Sequence, residues 1–256
     1  ASLPLEILES ARRGELPKVV KWLRKGGAVD ALGSTQGSKG QAINVTLLAA
    51  GAAEGHLELV RELLKRGASV DLQNGVGYTA LMYAAAHGHL SILLLLLQHS
   101  VNLNLRTIMG GTALMRAADR GHEACVKALL RAKANLDLQA IDGDTALMGA
   151  ADRGYEACVK ALLRAKANTE LLDKDGRTAL QWSEDKGHTT IAQLLRQHAA
   201  PPPPAAAAPA APPDAGEPAE SAPASLPLEV FNSAMRGALP KVVKWLRKGG
   251  LVDALC

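Results

Sequence analysis

Residues 110–138 read GGTALMRAADRGHEACVKALLRAKANLDL, and residues 143–171 read GDTALMGAADRGYEACVKALLRAKANTEL. The two copies are 33 residues apart, as the equivalent residues Thr112 and Thr145 show. A strict internal period of this length indicates a repeat architecture, because each unit buries its apolar face only by stacking on its neighbours. The period therefore decides the fold before any residue chemistry is considered.

The same period extends along the chain in both directions. It places a glycine between the two halves of each unit and a threonine nine residues earlier: Gly55, Gly88, Gly121, Gly154 and Gly187, with Thr46, Thr79, Thr112, Thr145 and Thr178. Gly14 marks a weaker upstream unit, 41 residues before Gly55, so the first interval is eight residues too long. The excess falls in the Gly/Ser-rich residues 33–45, which predict either a flexible loop insertion or an extended binding finger.

Three features together resemble ankyrin repeats: the period, the pattern T-A-L-x-x-A-A-x-x-G-H, and a closing turn of the G-A-S-V-D type. The residues that carry the resemblance are Thr79-Ala80-Leu81, Ala84-Ala85 and Gly88-His89, with their counterparts at Thr112, Thr145 and Thr178. Alanine replaces the family's proline after threonine, and Tyr155 replaces its histidine. The resemblance covers about residues 3–198 and implies an all-α solenoid of about six helix pairs with β-turn fingers.

The domain organisation follows from the period and from two shifts in composition. The array is predicted over residues 1–198, with a capping repeat at 3–32 and repeats near 41–73, 74–106, 107–139, 140–172 and 173–198. Residues 199–224 contain nine of the chain's thirteen prolines and predict an extended Pro/Ala-rich linker. Residues 225–256 are a near copy of residues 2–32, a partial repeat that we expect to dock on an array end in cis or in trans.

Composition favours small, closely packed helices. Hydrophobic residues make up 48% of the chain but aromatic residues only 3%, so the core is expected to consist of Leu, Ala, Val and Ile. The longest apolar run, Leu90–Leu97, is far shorter than the ~20 residues that cross a bilayer. The N-terminal residues lack a basic region followed by an apolar stretch, so no secretory signal and no membrane partner are predicted.

The three cysteines do not suggest a disulfide framework. Cys125 and Cys158 occupy the same slot in adjacent repeats and are predicted to be buried small hydrophobes without a redox or metal role. This usage is typical of a reducing, intracellular compartment, so a cytoplasmic location is expected, with the nucleus as the alternative.

The sequence contains no recognisable catalytic motif. It lacks a Gly-rich phosphate loop, a zinc-spaced Cys/His cluster and a nucleophile elbow, so neither enzymatic activity nor a cofactor is predicted. The recurring His56, His89, His122 and His188 are expected to bond local backbone at the helix junctions and not a metal. A net charge of +4 without a continuous basic, aromatic-lined groove makes nucleic acid an unlikely partner.

The turns and first helices of such repeats are implied to form a concave, partner-binding face. Slot-by-slot mapping predicts these contact residues: Val76, Tyr78, Tyr83, His87, Ile108, Met109, Arg116, Arg120, Asp142, Asp144, Arg153, Arg177, Trp182 and Lys186. Aromatic side chains and arginine are enriched at binding hot spots. The alternative for Tyr83 and Arg116 is a cation–π pair that serves only the fold.

Three functions remain open from the sequence. The first is a protein–protein interaction scaffold whose concave groove binds a protein or peptide. The second is self-association, either through residues 225–256 or through the uncharged helix predicted near residues 90–100, LSILLLLLQHS. The third is a targeting arm of a larger enzyme. Neither the partner nor the oligomeric state follows from the sequence.

Overall fold

A computed structural model describes residues 2–36 and 42–198, so the predicted linker and the partial repeat at 225–256 lie outside the described residues. The described part contains twelve helices and two strands. They are α1 (Leu5–Arg12), α2 (Leu16–Arg24), β1 (Leu32–Gln36), β2 (Ala42–Thr46), α3 (Leu47–Glu54), α4 (Leu57–Lys65), α5 (Ala80–His87), α6 (Leu90–Leu97), α7 (Ala113–Asp119), α8 (Glu123–Arg131), α9 (Ala146–Asp152), α10 (Glu156–Arg164), α11 (Ala179–Asp185) and α12 (Thr189–His198). The predicted helical solenoid is confirmed.

Threonine starts the first helix of five successive pairs. The hydroxyl of Thr112 accepts a hydrogen bond from the Met115 amide at 3.3 Å, which satisfies a donor that the helix start otherwise leaves unpaired. The same cap begins α3, α5, α9 and α11. Gly121 follows α7 with a φ of 73°, the left-handed conformation that only glycine adopts at little cost. Threonine and glycine thus set both ends of a seven- or eight-residue helix.

Small residues let the first helices approach each other closely. Ala117 and Ala118 of α7 are fully buried, as are the equivalent alanines of α5 and α9. The first helices of neighbouring pairs contact each other more extensively than the second helices do. The second helices contribute larger apolar side chains such as Val126 and Leu129. Cys125 and Cys158 are buried among them, and burial raises the pKa of the Cys158 thiol to about 11.

The extra residues between the first two helix pairs form a β-hairpin. Strands β1 and β2 pair antiparallel, with Leu32 opposite Thr46 and Ser34 opposite Asn44. The Ser34 hydroxyl donates to Asn44 Oδ1 at 2.9 Å, and Val45 is buried. The flexible loop predicted here is therefore wrong for the strand residues. The alternation of Ile43 and Val45 with polar residues favours a strand, and burial of Val45 fixes its register.

Histidine links each pair to the preceding one. The Nε2 of His122 donates to the Ala86 carbonyl at 3.1 Å, and His56, His89 and His188 make the equivalent bond to an upstream helix. The prediction of a bond to local backbone is therefore wrong. A Cβ atom on Gly88 would lie 2.6 Å from His122 Nδ1, so glycine at this slot leaves room for the ring of the next unit.

Backbone amides of consecutive turns are also joined. The amides of Ile108, Ile141 and Lys174 donate to the carbonyls of Val76, Met109 and Asp142, at 3.1, 3.0 and 2.9 Å. Further along each unit, the amides of Asn102, Asn135 and Asn168 donate to carboxylate or amide oxygens 31 residues upstream. These periodic bonds hold the turns in one row beside the first helices.

Candidate interaction surface

The predicted contact residues lie on one surface, which we call the finger face. It is formed by the turns 74–78, 107–111, 140–144 and 173–177, together with the accessible sides of α5, α7, α9 and α11 and the residue that follows each of the last three helices. The structure describes all fourteen predicted residues and places each on these elements. They differ in how far they remain free to contact a partner.

The tips of the turns are apolar and exposed. Ile108 is 62% exposed and Met109 58% exposed, and Ile141 on the next turn is 49% exposed. Because the Ile141 amide bonds to the Met109 carbonyl, these side chains belong to adjacent tips. Ile141 and the exposed Leu172 were absent from the predicted set. The 33-residue offset between Ile108 and Ile141 is a sequence signal that would have found the former.

Aromatic side chains stack beside these tips. The rings of Tyr78 and Tyr83 lie 5.1 Å apart, and Tyr83 stacks at 6.4 Å on His87. The Asn74 side-chain amide donates to the Tyr83 hydroxyl at 3.0 Å, and burial raises the pKa of Tyr83. Arg116 lies 5.9 Å from the ring centroid of Tyr78. The expected cation–π pair therefore exists, but its ring is Tyr78 and not Tyr83.

Charged residues of the finger face pair across neighbouring units. Arg153 lies 3.5 Å from Asp119 of the preceding unit and 3.4 Å from Asp152 of its own. Lys186 lies 3.4 Å from Asp152, and Arg120 lies 3.9 Å from Asp119. These pairs are partly exposed, and such pairs contribute only about 0–1 kcal/mol each. Arg120, Arg153 and Lys186 can therefore exchange their partners for a ligand at small expense.

The last turn and helix form a tighter cluster. Trp182 Nε1 donates to Asp173 Oδ2 at 2.9 Å, and the Arg177 guanidinium lies 3.9 Å from the centroid of the Trp182 ring. Burial opposes ionisation of Asp173, but hydrogen bonds from Arg177, Trp182 and Asp175 outweigh it and hold the pKa of Asp173 below its usual value. Trp182 and Arg177 thus contribute to local structure as well as to the surface.

A cavity opens between the turn 140–144 and helices α7 and α9. Its volume is about 180 Å³, and it is lined by Met115, Arg116, Asp119, Ala140, Asp142, Asp144, Thr145 and Gly149. Burial, followed by the charge of Asp142, raises the pKa of Asp144 to about 6. The structure thus brings Arg116, Asp142 and Asp144, predicted as separate contacts, together around one depression.

The described residues show no arrangement suited to a metal or a membrane. No group of three or more His, Cys, Asp or Glu side chains in residues 2–36 and 42–198 is placed to hold an ion. Over the same residues, no helix combines the length and the apolarity that crossing a membrane requires.

The period, the capped helix pairs and the row of turns define a helical repeat solenoid with a finger face. A sequence profile described as "Ankyrin repeats (3 copies)" matches residues 8–107, 46–140 and 114–203. The chain belongs to the ankyrin repeat family. Comparison with curated proteins found no match.

Proposed function

We propose that this chain is a non-catalytic interaction module that binds a protein or peptide on the finger face. Ankyrin repeats generally mediate protein–protein interactions. The single observation that carries the proposal is the exposure of Ile108 and Met109 at adjoining positions of one turn tip. Methionine adapts its shape to apolar partners, and exposed apolar side chains beside aromatic and arginine residues are typical of binding surfaces.

The geometry supports a binding role better than a catalytic one. The side chains that line the cavity include no histidine, cysteine or lysine, the residue types that most often serve as a base or nucleophile at neutral pH. Asp144 has a raised pKa, but no nucleophile is among the residues that surround it except the buried Thr145, whose hydroxyl caps α9. A targeting arm of a larger enzyme is compatible with the same binding role.

Self-association is the second candidate, and α6 gives it limited support. Leu94 is 45% exposed, whereas Ile92, Leu93 and Leu96 are buried and Leu95 is half-buried. A single exposed leucine is common on protein surfaces. The alternative route, through residues 225–256, lies outside the described residues. Light scattering at two protein concentrations tests both routes, because association raises the apparent mass with concentration.

The test of the interaction role compares two surfaces of the same chain. The double substitution Ile108→Asp and Met109→Asp disrupts the turn tip, whereas Leu94→Asp places the same charge on α6. Both proteins are used with the wild type to capture cross-linked partners, which are identified by mass spectrometry. We expect the double variant to lose partners that the wild type and Leu94→Asp retain, with all three proteins showing the same helical circular dichroism. Retention by the double variant would contradict the proposal.

A further inference from the structure

The cavity beside α9 exists because two side chains found in the other units are absent from this one. At the first position of the turn, Asn74, Thr107 and Asp173 correspond to Ala140. At the fourth position of the first helix, Tyr83, Arg116 and Trp182 correspond to Gly149. We call the resulting depression the Gly149 notch, defined by the eight residues that line the cavity.

In two neighbouring units, the corresponding side chains meet and close this space. Asn74 donates to the Tyr83 hydroxyl at 3.0 Å, and Trp182 donates to Asp173 at 2.9 Å. Ala140 and Gly149 cannot make such a bridge. The notch therefore has room for one long side chain, since its volume of about 180 Å³ far exceeds the ~10–15 Å³ that a single water requires on this type of measure.

Packing does not require glycine at position 149. The residue lies inside α9, and it is absent from the residues with positive φ. A Cβ atom added there would meet Asp119 at 3.7 Å, which is an ordinary contact. Glycine in a helix is destabilising relative to alanine. The open notch is therefore not a demand of the local fold.

The charges around the notch favour a cation. Asp119 pairs with Arg153 and Arg120, but Asp142 and Asp144 have no ion-pair partner within the described residues. Arg116 is the one cation that lines the notch, and its guanidinium packs on Gly111 and lies near the ring of Tyr78. Two unpaired carboxylates against one guanidinium leave a net negative site.

The wider surroundings of Asp144 point in the same direction. Beyond Asp142, the charges of Asp173 and Asp152 disfavour its ionised form, and Arg177 offsets them only in part. A partner cation between Asp142 and Asp144 would relieve this repulsion. Because the site is partly shielded from water, such a pair is stronger than one on an open surface.

We propose that the Gly149 notch accepts one arginine or lysine side chain of a partner polypeptide. The aliphatic part of that side chain packs on Met115 and Ala140, and its charged end lies between Asp142 and Asp144. The notch thus selects partners that present a basic residue to the exposed tip at Ile108 and Met109. This inference rests on the proposed binding role of the finger face and names the chemistry of its partner.

The test is a nuclear magnetic resonance titration of the full chain with a defined probe. The probe is the peptide acetyl-Gly-Gly-Arg-Gly-Gly-amide, and its control carries citrulline, the uncharged analogue of arginine. We expect saturable shifts of the Gly143 and Ala140 amide signals with the arginine peptide, and an affinity about fivefold or more lower for the citrulline peptide. Equal binding of both peptides, or no saturable shift, would overturn the proposal.

Variants of one position separate the notch from the helix that carries it. Gly149→Tyr introduces the ring that the equivalent Tyr83 supplies, so it should fill the notch and reduce binding about fivefold or more, as should Asp144→Asn. Gly149→Ala is the matched control, since it removes the glycine but leaves the notch open, and its affinity should stay within about twofold of the wild type. Binding by Gly149→Tyr as strong as that of Gly149→Ala would exclude the notch as the site.

The outcome is distinguishable from failure of the wider proposal. If the arginine peptide does not bind while the Ile108→Asp, Met109→Asp variant still loses captured partners, the notch inference alone is wrong. If neither experiment shows an effect, the finger face is not the binding surface. A preference for acetyl-Gly-Gly-Glu-Gly-Gly-amide would show that Arg116 dominates the notch, which also overturns the inference.

Discussion

His122 connects two neighbouring units through a single ring nitrogen. Its Nε2 donates to the Ala86 carbonyl, and its ring lies against the glycine that ends α5. Tyr155 occupies the same slot one unit later, and its ring lies against Gly121 in the same way. The slot therefore needs a flat ring that packs on glycine, and histidine adds a hydrogen bond to that contact.

The first prediction concerns this slot. His122→Ala removes both the ring and the hydrogen bond, and we expect the free energy of unfolding to fall by about 2 kcal/mol. His122→Tyr retains a ring, as Tyr155 does naturally, and should lose only about 0.5–1 kcal/mol. Urea denaturation followed by circular dichroism at 222 nm measures both changes. Equal loss in the two variants would assign the effect to the hydrogen bond alone.

Asp144 makes stability depend on pH. Its folded pKa of about 6 lies above the usual value of 3.8, so proton uptake favours the folded state. This contribution is fully present below about pH 3.8 and is lost as the pH rises through about 6. Because Asp144 is only half-buried, solvent screening reduces the effect below that of a fully buried group.

The second prediction follows from that sign. Asp144→Asn should be more stable than the wild type by about 1 kcal/mol at neutral pH, and the difference should vanish near pH 4. Asp142→Asn removes a charge that raises the pKa of Asp144 and should give a smaller gain in the same direction. Unfolding by urea at several pH values tests this. A difference between Asp144→Asn and wild type that does not change with pH would contradict it.

At this scale, the sequence allowed the positions of the contact residues to be predicted, but not their relations. Arg116 and Gly149 already stood out as a difference between two near-identical copies. That Gly149 and Ala140 together open a notch depends on how α9 and its turn face each other, which a period cannot specify. The ring under Arg116 and the carbonyl bonded by His122 likewise depend on contacts between units.

At the scale of single elements, the β1–β2 hairpin is the part that departs from a regular repeat. Helix boundaries follow from threonine caps and glycines that recur every 33 residues, so they are accessible from the sequence. The hairpin has no periodic counterpart, and its glycine and serine content resembles a loop. Gly33 illustrates the difference: a Cβ there would approach the side chains of Leu3 and Leu8 at 3.0 and 3.1 Å, so the strand packs on the first helix pair.

The third prediction tests whether the hairpin is part of the folded array. Val45→Ala removes buried methyl groups and should lower the free energy of unfolding by about 1–2 kcal/mol. Ser34→Ala removes an exposed hydrogen bond and should change it by less than about 0.5 kcal/mol. Amide hydrogen exchange of the paired strand residues gives a second measure. Rapid exchange throughout both strands would show that the hairpin opens independently.

For the whole array, each helix pair contacts mainly its neighbours. Stability is then a sum of the intrinsic terms of each unit and the interfaces between them, so an end unit is held by one interface only. The pair α11 and α12 is joined to the preceding pair by the bond from His188 to the Asp152 carbonyl, the Lys186–Asp152 ion pair and apolar contacts of Leu195. This end should therefore respond to interface mutations differently from the middle.

The fourth prediction uses Trp182 as a local probe of that end. In a background with Trp22→Phe and Trp245→Phe, its fluorescence reports on α11, while circular dichroism at 222 nm reports on all helices. Adding His188→Ala weakens the last interface by about 1–2 kcal/mol, so fluorescence should change at a lower urea concentration than circular dichroism. His122→Ala weakens an interior interface by a similar amount and is the matched control.

The two histidine variants should therefore separate local from global unfolding. With His122→Ala, loss of an interior interface affects units on both sides, so both midpoints should move to lower urea together. With His188→Ala, only the last pair loses its support, and the helical signal should keep most of its wild-type midpoint. If both probes moved equally in both variants, the array would unfold as one cooperative unit, and the interfaces would be too strong for its end to open alone.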